Sequence, residues 1–135
     1  MPLGAARFGL GGVDLGKLEL IQTQTASSVS TLTFTSIKES IYNVHFLTIA
    51  GMKSDADNKA VEIAVSNDGG SSYETSNYDW AFMYQKSNGT FLEKRNTSGG
   101  DFTIVQNVGN NTAENLNGYV YLYNLGDSGK FSFTT

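Results

Sequence analysis

Ile41-Tyr42-Asn43-Val44-His45-Phe46-Leu47-Thr48-Ile49 is the stretch that decides the fold. Successive side chains of an extended chain point to opposite faces. One parity therefore carries Ile41, Leu47 and Ile49, with His45 among them, and the other carries Tyr42, Val44 and Phe46. A strand that is apolar on both parities is expected to be covered on both faces. Working outward, the same two-residue period returns. Val61, Ile63 and Val65 share a face, as do Trp80, Phe82 and Tyr84, Phe102 and Ile104, and Phe131 and Phe133. Tyr119, Tyr121 and Tyr123 alternate with Val120 and Leu122. Upstream, Leu18 to Gln22 and Val29 to Phe34 read as two further strands, and Phe91 to Arg95 as another.

Turn chemistry punctuates these segments. Asn67-Asp68-Gly69-Gly70 and Ser87-Asn88-Gly89-Thr90 place Asn, Asp and Gly where the backbone must reverse. Asn96 to Gly100 and Leu125 to Lys130 read as two more turns. About nine short strands at this spacing, rich in Tyr, Phe, Thr and Val, predict an all-β antiparallel sandwich of jelly-roll type. No window longer than two turns keeps a helical period. Residues 1–16 hold five glycines and no apolar period, so they are expected to form an extended anchoring arm, with residues 17–135 as the sandwich. A glycine-rich arm needs something to hold it, and the last strand has no closing turn. Both ends read as pieces that expect a neighbour.

Composition removes several function classes. The chain has 135 residues, no cysteine and a net charge of −4. Thiol chemistry, disulfides and cysteine-bound metals are thereby excluded. Lys94-Arg95 is the only adjacent basic pair, against the basic patch of a nucleic-acid binder. No stretch approaches the roughly 20 apolar residues of a membrane-spanning helix. The sequons at Asn88, Asn96 and Asn110 are read as turn chemistry.

Candidate chemistry is sparse. Gly11-Gly12-Val13-Asp14-Leu15-Gly16-Lys17 copies the first seven positions of a phosphate-binding loop. Leu18 then stands where Ser or Thr must reach magnesium, and the required strand before and helix after are missing. His45 is the only histidine, so any triad or histidine–metal site would have to use it. Its mid-strand position predicts a core histidine satisfied by a hydrogen bond. Asp55, Asp57, Asp68, Asp79, Asp101 and Asp127 sit mostly beside Asn, Gly and Ser, as turn formers do. Asp55-Ala56-Asp57-Asn58 opens like a calcium loop, but Lys59 takes the third ligand position and no glycine follows. No catalytic residue, metal or cofactor is expected. Trp80, Phe82 and Tyr84 are read as core rather than as a sugar-stacking platform. Tyr119, Tyr121 and Tyr123 are the better interface residues, since Val120 and Leu122 already supply an inward face.

A resemblance adds a setting. Gly4-Ala5-Ala6-Arg7-Phe8-Gly9 and Leu20-Ile21-Gln22-Thr23-Gln24-Thr25-Ala26-Ser27-Ser28 resemble small virion structural proteins of tailed, mostly aquatic, bacteriophages. Tyr42 to Phe46, Ser66 to Tyr73 and Asn117 to Asn124 look similar as well. The likeness spans most of residues 4–135, and its motifs are strand-and-turn phrases with no catalytic signature. It implies a β-sandwich in the virion, as a tail appendage or capsid decoration. Similar proteins continue past a Lys-Phe-Ser-Phe-Thr segment, whereas the sequence here stops at Thr135.

The reading that follows is a non-enzymatic virion protein, a tail fibre-like or tail-tip-associated component in a homotrimer or higher homo-oligomer. A capsid cement protein bridging capsomers is the first alternative, and a carbohydrate-binding domain, with a host surface glycan as partner, the second. Other virion proteins and copies of the chain are the expected partners, with no nucleic acid and no membrane span. Arg7, Phe8 and Leu10 in the arm, with Tyr119, Tyr121 and Tyr123, are the expected anchor and interface residues.

Overall fold

Seven strands follow one another in the computed structural model of the chain, which describes residues 18–135. The expected arm, its anchors Arg7, Phe8 and Leu10, and the glycine-rich motif at 11–17 lie outside the described residues. The strands are β1 (Val44–Met52), β2 (Lys59–Ile63), β3 (Tyr78–Gln85), β4 (Phe91–Gly99), β5 (Phe102–Val108), β6 (Leu116–Tyr123) and β7 (Phe133–Thr134). Every ladder is antiparallel, and no helix occurs among the described residues. The fold is all-β and sandwich-like, in three sheets of order β1-β6-β7, β2-β5 and β3-β4.

The strand that decides the fold pairs with the tyrosine strand. Val44 faces Tyr123, Phe46 faces Tyr121, Leu47 faces Val120 and Thr48 faces Tyr119. The register slips between Ile49 and Met52. There Gly51 adopts φ +64° and donates its N–H to Asn117 Oδ1 at 2.8 Å. A left-handed glycine in an antiparallel strand is a bulge device, and this one ends the regular pairing of β1.

The remaining ladders follow local chemistry. The β3–β4 hairpin closes with Lys86 N–H on Thr90 O and Gly89 N–H on Lys86 O, while Thr90 N–H reaches Asn88 Oδ1 at 3.1 Å. The Asn67 to Gly70 turn is fixed by Asp68, which accepts Ser66 Oγ at 2.7 Å, Ser72 N–H at 2.9 Å and Ser72 Oγ at 2.6 Å. Those bonds, from Ser72 above all, hold the Asp68 carboxyl well below the usual carboxylate range. Gly70, at φ +92°, lets the turn approach the chain upstream; a Cβ there would lie 3.3 Å from Thr33 Cγ2. Thr33 Oγ1 and the Tyr73 hydroxyl bond at 2.9 Å across the same contact.

Four expectations change. Leu18 to Gln22 and Val29 to Phe34 have strand-like composition but no ladder partner among the described residues. They are held by side chains instead, Gln24 Nε2 on Thr33 O and Glu19 between Lys38 and Tyr42. The first long strand begins at Val44, because Ile41 and Tyr42 both donate to Lys38 O in a turn and Ile41 is exposed. The turn expected over Asn96 to Gly100 is mostly strand. β4 runs through Asn96, opposite Trp80, to Gly99, with the left-handed Ser98 bending it. The Asn96 sequon is therefore a strand residue.

The fourth change concerns the core. Among the described residues only Val108 and Val120 are buried apolar side chains, and only His45 and Thr103 are buried polar ones. None of the described side chains is sealed completely. Trp80, Phe82 and Tyr84, expected in the core, line the more protected side of β3 but are only half-buried. The β1–β6 sheet is covered on the side of His45, Leu47, Ile49, Val120 and Leu122, and its other side is open. The coverage of both faces expected from the sequence is met on one.

Candidate interaction surface

The open side of the β1-β6-β7 sheet is built by strand parity. Val120 is buried, so its neighbours Tyr119 and Tyr121 must point the other way. The register sets Phe46 opposite Tyr121 and Val44 opposite Tyr123, and β7 adds Phe133 opposite Tyr123. Backbone bonds between Tyr121 and Thr135, at 2.8 and 3.0 Å, extend that pairing. The result is a continuous aromatic surface across three strands.

Its rings pack on each other. Phe46 lies 4.8 Å from Tyr121 and 5.7 Å from Tyr119, centre to centre. Tyr119 and Tyr121 meet edge-on, 6.0 Å apart with planes at 79°. Tyr121 and Tyr123 are 6.2 Å apart at 27°. These are favourable aromatic geometries, and they fix the rings without burying them.

The sequence located half of this surface. It assigned Tyr119, Tyr121 and Tyr123 to an outward face, and the structure places them there. It missed Val44, Phe46 and Phe133. The signal for the first two is present, since they share a parity opposite Leu47 and Ile49, but an apolar parity on a two-faced strand reads as a covered face.

Elsewhere the candidate residues serve the backbone. His45 is buried, and its Nε2 lies 2.8 Å from Ile37 O, which ties the segment before β1 to the sheet. Its Nδ1 has no partner among the described residues. Asp57 accepts Asn110 N–H at 3.1 Å, Asp79 accepts Ser98 N–H at 2.8 Å, and Glu114 accepts Asn111 N–H at 3.1 Å. Asp127 accepts Gly129 N–H at 2.9 Å and pairs with Lys130 at 2.6 Å. Lys130 and that N–H lower the Asp127 carboxyl below its ordinary value. Asp57 and Glu114 also border an open groove at the end of β5. No three His, Asp or Glu side chains gather at one point among the described residues. Nor is any helix there long and apolar enough to cross a membrane. Compared with family models, curated proteins and solved structures, the chain matches none.

Proposed function

We propose that this chain is a non-enzymatic structural protein of a bacteriophage virion, a tail fibre-like or tail-tip-associated component working as a homo-oligomer. One observation carries the assembly role. An uncharged aromatic surface spans a three-stranded sheet and has no cover among the described residues. Contiguous apolar patches beyond a few hundred Å² mark interaction sites. Tyrosine suits such sites because its ring buries area while its hydroxyl keeps a hydrogen bond. The virion setting rests on the resemblance of the strand-and-turn phrases from Leu20 to Ser28, Ser66 to Tyr73 and Asn117 to Asn124.

Quantitative mass spectrometry of particles purified from the virus encoding the chain tests this reading. A tail component is expected at a small, fixed copy number per particle, far below the major capsid protein. A number comparable to that of the capsomers would replace the tail assignment with capsid cement. Absence from washed particles would overturn the virion reading altogether.

A further inference from the structure

We infer that the outward face of the β1-β6-β7 sheet is the contact between copies of this chain. The inference rests on the homo-oligomer part of the reading above and names the surface that does the joining.

Four observations select another copy as the occupant. The first is continuity with the strand itself. β1 is apolar on both parities, and the described chain covers only the side of Leu47 and Ile49. The Val44 and Phe46 side is built like an interior face and has no intrachain cover among the described residues.

The second is charge. Val44, Phe46 and Thr48 on β1, the three tyrosines on β6 and Phe133 on β7 include no ionisable cation or carboxylate. The whole chain carries −4. Two copies can therefore approach through this face without setting like charges against each other. A charged partner would find nothing here to pair with.

The third is self-complementarity. A tyrosine hydroxyl both donates and accepts, so a tyrosine face can satisfy a copy of itself. The hydroxyls of Tyr42, Tyr73 and Tyr78 are used inside the chain, by Glu19, Thr33 and the Val65 N–H. Those of Tyr119, Tyr121 and Tyr123 have no partner among the described residues, nor has that of Tyr84 on β3, but only the three on β6 stand together on one face.

The fourth is area. Tyr119 is 65% exposed, Phe133 57%, Phe46 41% and Tyr121 37%. At roughly 200 Å² per aromatic side chain these four offer roughly 400 Å². That is about half of the roughly 800 Å² each partner gives to a standard interface. Val44, Thr48 and Tyr123 enlarge it on the same face. Tyr121 sits at the centre, on the middle strand and between Phe46, Tyr119 and Tyr123. Central, ring-packed residues are where binding energy concentrates.

Sedimentation equilibrium of the full chain tests the assignment with Tyr121→Arg, Thr48→Arg and Met83→Arg. Met83 is exposed on the β3–β4 ladder, away from this face, and controls for a new surface arginine. The wild-type chain and Met83→Arg should associate in the micromolar range. Tyr121→Arg should weaken association by about thirty-fold or more, the loss expected of a hot-spot residue. Thr48→Arg, whose side chain is exposed and makes no buried contact, covers the case in which Tyr121→Arg fails to fold. A wild-type chain that stays monomeric would overturn the inference, whether or not it then binds a glycan. So would face variants that associate as the wild type does. None of these outcomes depends on where the chain sits in a particle, so absence from virions would retire the virion setting and leave this contact standing.

Discussion

Replacing Val120 with aspartate should lower the unfolding free energy by about 3–5 kcal/mol, the usual penalty for an uncompensated buried charge. Val120 is one of two buried apolar side chains among the described residues, at 6% exposure. It faces Leu47 across the β1–β6 ladder, with Leu122 two residues along on the same side. The substitution removes a buried isopropyl group, worth roughly 1.5–3 kcal/mol. It also puts a carboxylate too short to reach water into that apolar slot. Domains of this size are stable by only about 5–15 kcal/mol, so the loss would be a large fraction of the margin. Urea unfolding followed by circular dichroism, at one protein concentration for both chains, reads the effect. An unchanged midpoint would mean that the covered side of this sheet is not the folding core.

A smaller change should also be felt. Gly126→Ala is expected to cost about 1–3 kcal/mol, as overpacking does. A Cβ at Gly126 would fall on the carbonyl group of Glu39, 2.6 Å from its carbon. The obstacle is backbone, not the flexible end of a side chain, so one of the two turns has to move. The Glu39 turn is itself anchored, since Ile41 and Tyr42 donate to Lys38 O and Lys38 pairs with Glu19. The Gly126 turn is fixed by Asn124, whose N–H reaches Asn43 O at 2.9 Å. Gly118→Ala is the control, because a Cβ at that position of β6 meets nothing within 4 Å. Thermal unfolding of the pair should show a clear loss for Gly126→Ala and little change for Gly118→Ala. Equal melting temperatures would mean that the two turns do not pack as described.

Alternation told where the strands are, and a hydrogen-bonded partner decided which segments became strands. Val44 to Met52 and Leu116 to Tyr123 satisfied both conditions, so both are strands, and parity alone separated the two sides of the second. Val29 to Phe34 alternates as cleanly as either, yet it forms no ladder among the described residues, and pairing between distant segments leaves no mark in one sequence. Asn96 misled in the other direction. Its Asn-Thr-Ser-Gly-Gly context reads as a turn, but Trp80 lies opposite and keeps the strand going past it. The interaction surface was half legible for a related reason. The tyrosines were assigned outward because Val120 and Leu122 competed for the interior. Phe46 had Leu47 as the same kind of competitor, and an aromatic residue on a two-faced strand reads equally well as core or interface. Only the register, which sets Phe46 against Tyr121, joins them into one surface.

The central claim is that this surface is buried between copies, and a single cysteine tests it directly because the chain has none of its own. Thr48→Cys places one thiol on the aromatic face, opposite Tyr119, and Asn88→Cys places one at the tip of the β3–β4 hairpin. A short bifunctional maleimide is added to each variant at a concentration where the protein is associated. Covalent dimers should form from Thr48→Cys and stay at background for Asn88→Cys. Cross-linking that is equal at the two positions, or stronger at Asn88→Cys, would contradict the account.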